Sequence, residues 1–211
     1  MPLHNLLALA GLMLGAGALG LQAGLVIPMQ MQRGDSMPRA LVFFFSFFTI
    51  LTNLAAVLVY YAALAGWRRL SAPGVRTMIA AYIFVVMVVY HLILAPLWSP
   101  QGWWLVADHA LHTAAPLLYI AWWLSGPHPR LLRYGRLWLM LLPPLAYGGY
   151  ALLRGAVSGR YPYPFLDASA LGYPAVAINL LGMAAGFALV CAAAIALSRT
   201  RHAKAPGRAT A

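Results

Sequence analysis

Glutamate is absent from this 211-residue chain, and the only acids are three aspartates, Asp35, Asp108 and Asp167. Charged residues of either sign make up 8% of the chain against 63% hydrophobic ones, and the mean hydropathy is +0.79. A soluble domain of this length needs far less apolar surface, so a soluble globular fold is excluded. The apolar runs lack the alternation of barrel strands, which excludes a transmembrane β-barrel. Cysteine occurs once, at Cys191, so no intrachain disulfide is possible. No basic helix or stacking motif accompanies the net charge of +11, and nucleic-acid binding is not expected.

What the chain does contain is long apolar runs that approach or exceed the ~20 residues needed to cross a bilayer. Six spans are read, at 6–29, 41–66, 78–98, 103–124, 137–153 and 175–197. The expected fold class is all-α, a polytopic six-transmembrane-helix bundle forming a single domain over residues 1–198. A basic, disordered tail is expected over 199–211. All seven tryptophans fall at or near a span end, as expected of an aromatic belt at the headgroups.

Ten of the fourteen basic residues lie in the loops after spans two and four and in the tail, and four lie on the other side. The positive-inside rule then puts both termini in the cytoplasm. Span one has no Lys or Arg before it and is longer than a usual signal-peptide core, so it is read as a retained span. Thirteen of the fourteen basic residues are Arg, and Ala, Leu and Gly abound, which suggests a GC-rich bacterial genome. The expected localisation is therefore the bacterial inner membrane.

Asp108 is the one acid inside an apolar run, where an ionisable group is expensive and marks a functional site. It sits in Trp103-Trp104-Leu105-Val106-Ala107-Asp108-His109-Ala110-Leu111-His112-Thr113. Asp108 and His112 are spaced i, i+4, and His109 and His112 i, i+3, so each pair shares a helix face. At ~1.5 Å per residue, Thr49 lies roughly 12 Å below the outer surface, His91 roughly 10 Å, His109 roughly 9 Å and His112 roughly 14 Å. Four chemistry-bearing side chains thus share the outer half of the bilayer. Thr49, Thr52, Asn53 and Ala56 form a small or polar stripe on span two. Pro116 frees the carbonyl of His112, and Pro96 that of Leu92, both near histidines. Pro143-Pro144 predicts a bend in span five. The loop Gly159-Arg160-Tyr161-Pro162-Tyr163-Pro164-Phe165-Leu166-Asp167 is stiff and lies on the side of the histidines, where it can cap a pocket. Tyr90, Asn179 and Tyr173 are further polar residues, of the kind that neighbours usually satisfy.

Three segments carry a family resemblance: Phe47-Phe48-Thr49-Ile50-Leu51-Thr52-Asn53, Asp108-His109-Ala110-Leu111-His112-Thr113-Ala114-Ala115-Pro116 and Tyr163-Pro164-Phe165-Leu166-Asp167. Their order and spacing resemble those of the androgen-induced and androgen-dependent six-span membrane hydrolases, and especially of their bacterial relatives, the Pr-six-Pr membrane proteins. The animal members are threonine hydrolases that cleave fatty acids esterified to hydroxy fatty acids. The resemblance implies Thr49 as nucleophile, with Thr52 as second choice, and His112 as base. This chain departs from the animal pattern at Asp108, where they carry Asn, and at Asp167, where they carry Glu. The resemblance to the bacterial group implies no settled activity.

The expected function is an intramembrane lipid-ester hydrolase acting from the outer leaflet on membrane lipids or an acyl ester, without a cofactor. Thr49, His112, Asp108 and His109 are its candidate catalytic residues, and Asn53, His91, Tyr163, Phe165 and Asp167 its candidate substrate-binding residues. One alternative is a metal-dependent hydrolase with His91, His109 and His112 plus Asp108 as ligands. Another is a proton-coupled transporter or sensor, since titratable residues in spans mark such paths. A haem held by two facing histidines is a weaker alternative still.

Overall fold

The computed structural model describes residues 2–126 and 132–203, and among these the chain is all-helical, without a strand. Helix α1 covers Leu3–Gln32. The second expected span is two helices, α2 (Met37–Phe44) and α3 (Phe48–Leu64), meeting at 79°. Helix α4 (Pro73–Val89) continues through a π turn at Tyr90–Leu94 and a 3-10 turn at Ala95–Leu97. Helices α5 (Trp103–His109) and α6 (Ala115–Ser125) are joined by a second π turn at Ala110–Ala114. Helix α7 (Leu137–Ser158) passes through Pro143 and Pro144 as one helix. After the one-turn α8 (Ala168–Leu171), α9 runs over Tyr173–Ala203.

Among the described residues three helices are long and apolar enough to cross a membrane, and a fourth crossing is counted if α2 and α3 are taken together. Their outward faces are apolar too: Leu189 on α9 is 72% exposed and Met13 on α1 68%. Such a surface is compatible with an integral membrane protein and unsuited to water.

α4 lies at the centre, against α3, α6 and α9, while α1 packs on α3 and α6, and α7 on α9. The α1–α3 approach is close because Gly11 and Gly15 carry no Cβ. One at Gly11 would lie 2.2 Å from the Tyr60 ring, and one at Gly15 2.7 Å from Val57. Small residues four apart are the usual device for such contacts between apolar helices.

Opposite ends of the bundle are pinned by polar contacts. At one end His4 Nδ1 meets Ser125 Oγ at 3.2 Å, and Arg201 donates to the carbonyl of Leu124. The start of α1 and the ends of α6 and α9 are therefore neighbours. At the other end Arg160 pairs with Asp35 at 2.6 Å, tying the loop after α1 to the loop after α7.

Two expectations need correction here. The residues read as the start of a disordered tail are helical: α9 carries Arg199 and Arg201, and Arg199 donates to the carbonyl of Leu132 at 2.9 Å. The rest of that tail, 204–211, and Arg130 in the segment after α6 lie outside the described residues. Two of the seven tryptophans are not belt residues. Trp122 is fully buried, and Trp123 is buried with its Nε1 donating to Thr77 Oγ1 at 3.1 Å.

Candidate active site

The bend between α2 and α3 occurs at Phe45-Ser46-Phe47, with neither proline nor glycine. Breaking a helix in an apolar setting frees backbone groups that need partners. Hydroxyls provide them. Buried Ser46 donates to the carbonyl of Phe43 at 2.6 Å, and Tyr147 donates to the carbonyl of Ser46 at 2.8 Å. Phe47 is extended (φ −91°, ψ 128°), and its ring meets Phe43 and Tyr163 edge-on. Thr49 thereby lies in the first turn of α3, where N–H groups have no intrahelical acceptor and the helix dipole is positive. Its N–H donates to the Tyr163 hydroxyl at 3.4 Å.

The two π turns lie on the other wall. In the π register Ala115 N–H bonds the carbonyl of Ala110, and Ala95 N–H that of Tyr90. The next residues in that register, Pro116 and Pro96, have no N–H to offer Leu111 and His91. The carbonyls freed by proline are thus one residue earlier than α-helical spacing predicts. Asn53 answers the first: its Nδ2 donates to the carbonyl of Leu111 at 3.3 Å and to that of Thr49 at 2.9 Å. Asn53 braces α3 against the π turn and lines neither of the cavities described below.

Asp108, 4% exposed, is gripped from two sides. Its Oδ1 is 3.1 Å from His112 Nδ1, and its Oδ2 accepts from the Tyr90 hydroxyl. His112 Nδ1 is also 3.1 Å from the carbonyl oxygen of Asp108. A carbonyl can only accept, so Nδ1 carries a proton, which in the neutral imidazole leaves the lone pair on Nε2. The Tyr90 ring stacks on the His112 imidazole, with centroids 3.8 Å apart and planes 9° from parallel. The π turns widen α4 and α5–α6 where Tyr90 and His112 face each other, a common placement for π turns at working sites.

The other two candidate histidines stand apart. His91 is exposed, with Nε2 3.1 Å from Thr113 Oγ1, and His109 is exposed at the end of α5. Among the described residues no group of three or more His, Cys, Asp or Glu converges. The metal set His91, His109, His112 and Asp108 is therefore not assembled.

Two cavities meet at Thr49. The first, of about 340 Å³, is lined by Thr49, Tyr90, Asp108, His112 and Tyr163, with Gln22 and Trp98 at its wall. The second, of about 220 Å³, is apolar apart from Thr49, Tyr147 and Tyr163, and Phe165 lies in its lining. Thr49, Leu94 and Tyr163 belong to both. Thr52 is buried and lines neither.

The loop after α7 closes over this region through Pro162, Tyr163 and Pro164. Tyr163 stacks on Phe165 with centroids 5.2 Å apart, and Asn179 Nδ2 holds the carbonyl of Phe165 at 2.8 Å. Burial pushes the Tyr163 hydroxyl above its ordinary pKa, so it stays a proton donor. Asp167 does not reach either cavity. It caps α8, accepting from Ser169 N–H at 2.9 Å and Ala170 N–H at 3.2 Å. The Ser169 hydroxyl, together with those two N–H groups, holds its carboxyl below the usual range. Tyr173, the remaining polar candidate, is 63% exposed.

Sequence reasoning undervalued Tyr90, Tyr147 and Gln22. For Tyr90 a signal exists, since it precedes a histidine and stands six residues before an in-span proline. The chain matches no family model, no curated protein and no solved structure.

Proposed function

We propose that this protein is an integral membrane hydrolase of lipid esters, with Thr49 as nucleophile and His112 as base. The observation that carries the reading is one cavity lined by Thr49 and by a His112 whose Nδ1 is engaged by Asp108. A threonine hydroxyl needs a base to remove its proton, and the unprotonated Nε2 of His112 is suited to that task. The order nucleophile, imidazole, carboxylate follows the logic of a catalytic triad. The resemblance to the six-span threonine hydrolases, and so the assignment to their bacterial relatives, is part of the same proposal.

In the first half-reaction His112 Nε2 takes the Thr49 Oγ proton as Oγ bonds to the ester carbon. The carbonyl π pair moves onto oxygen, then returns as the C–O bond to the alcohol breaks. Imidazolium gives its proton to the leaving alkoxide. A water molecule, activated by the same nitrogen, then attacks the acyl-threonine, releases the carboxylic acid and restores Thr49. Negative charge on the carbonyl oxygen would develop beside the N-terminus of α3 and the Tyr163 hydroxyl. Both are donors that favour an anion.

The six-span topology, with both termini cytoplasmic and the site in the outer half of a bacterial inner membrane, belongs to the same reading. It is supported by the shared end of α1, α6 and α9 and by the basic residues there. The deciding experiment treats purified protein with a fluorescent fluorophosphonate. Wild type should label covalently, and Thr49→Ala and His112→Ala should not. Labelling that survives Thr49→Ala would remove the threonine from the mechanism.

A further inference from the structure

The two cavities differ in which catalytic groups they touch. The larger holds Thr49 together with His112 and Asp108, whereas the apolar one holds Thr49 without either. If the proposed hydrolysis operates, the base must reach the leaving alkoxide to protonate it, so the alcohol departs on the His112 side. The acyl group stays bonded to Thr49 and must extend away from the imidazole. The space on that side is the cavity between α4, α7 and α9, walled by Val86, Leu145, Leu180, Met183 and Phe187.

We infer that this cavity is the binding site for the acyl chain of the substrate, and that α7 sets the chain length it accepts. The inference rests on the hydrolase reading for its orientation and on the cavity for its chemistry. A surface of aliphatic and phenyl groups offers nothing to a charged or hydroxylated moiety, whereas each methylene of a hydrocarbon chain gains by leaving water. Gly148 and Gly149 keep the α7 wall low. A Cβ on Gly148 would meet Leu180 at 3.1 Å, while a Cβ on Gly149 meets nothing within 4 Å. Gly149 is therefore a lining position where a large side chain can be added without a clash at its root.

The test has two parts. A hexadecanoic acid analogue with a chain-end diazirine is photolysed with the purified wild-type protein in nanodiscs, and adducts are mapped by mass spectrometry. Adducts within 144–152 and 180–187 are expected, and adducts confined to the outer, lipid-facing positions of the helices would overturn the inference. The second part measures kcat/KM for esters of one alcohol with butanoyl to hexadecanoyl chains, in wild type, Gly149→Trp and Ala184→Phe. Variants that elute and melt like wild type are compared.

Excluding two or three methylenes should lower the hexadecanoyl-to-butanoyl ratio about ten- to a hundredfold. An unchanged ratio, or a shift seen only when the alcohol is lengthened, would overturn the assignment. Should no ester be turned over by wild type, the hydrolase reading fails and the adduct map alone decides whether the cavity takes a hydrocarbon chain.

Discussion

At one end of the bundle Trp122 stacks on His4 with centroids 5.1 Å apart, touches the Tyr60 ring at 4.8 Å and carries the Arg76 guanidinium 5.1 Å from its centre. Toward the other end Tyr90 stacks on His112 and both hold Asp108. Both clusters combine an aromatic ring, an imidazole and a charged or ionisable group. In the first, the rings fill the space themselves, and Trp122 and Tyr119 are fully buried. In the second, two π turns and a bent helix hold the groups along open cavities. Polar residues inside an apolar bundle are therefore not sufficient evidence of a site. What separates the two clusters is broken backbone geometry that leaves room beside a defined lone pair.

The largest expected effects break this comparison directly. Thr49→Ala or His112→Ala should lower ester turnover at least about 10³-fold while leaving the thermal midpoint in place. Trp122→Ala should do the reverse, costing about 3–5 kcal/mol of stability with turnover per folded molecule retained. Paired melting curves and active-site titrations separate the two results. Equal stability losses in the two clusters would erase the distinction.

Asp108→Asn comes next. It leaves His112 without a carboxylate and one of the two donors to Asp108 without an acceptor, and kcat should fall about 10²–10⁴-fold. Tyr90→Phe keeps a ring to stack on His112 but removes one hydrogen bond to Asp108, so a loss of about tenfold is expected. A Tyr90→Phe defect as large as that of Asp108→Asn would show that the hydroxyl does more than hold the carboxylate.

The smallest effects sharpen the contrast. The Tyr60 hydroxyl is buried without a hydrogen-bond partner among the described residues. Removing an unpaired hydroxyl relieves its desolvation cost, so Tyr60→Phe should leave stability unchanged or raise it by about 1 kcal/mol. Asp167 tests the loop over the site. Its carboxyl is held below the ordinary range, so its stabilising effect is present at neutral pH and is lost as pH falls through that lowered pKa. Asp167→Asn should lower the melting temperature slightly near neutrality and flatten this part of its acid limb, so that the two proteins converge in acid. A wild-type acid limb reproduced in the variant would remove the cap from the account.

Much of the helical pattern is legible in the residues alone. Apolar length marks where helices form, and a helix appears in each of the six segments, although among the described residues three, or four with the bent pair, are long and apolar enough to cross a membrane. The helical spacing of Asp108 and His112 pairs them in the sequence as it does in space, because i, i+4 contacts are local. The break before Thr49 is not legible: Phe45-Ser46-Phe47 carries no breaker, and the bend exists because Tyr147 and Ser46 satisfy the groups it frees. The exposure of His109 and the pairing of His91 with Thr113 were equally hidden, since depth counting fixes height in a bundle but not which way a side chain turns.

By itself, then, the sequence determined an apolar helical chain with one acid among histidines, because hydrophobic length and local spacing are properties of neighbours along the chain. Tertiary structure alone decided that Thr49 and His112 line one cavity, that Tyr90 grips Asp108, and that a second, apolar cavity meets the first at Thr49. Those relations join residues far apart in the chain, and packing between helices, not periodicity within them, brings such residues together.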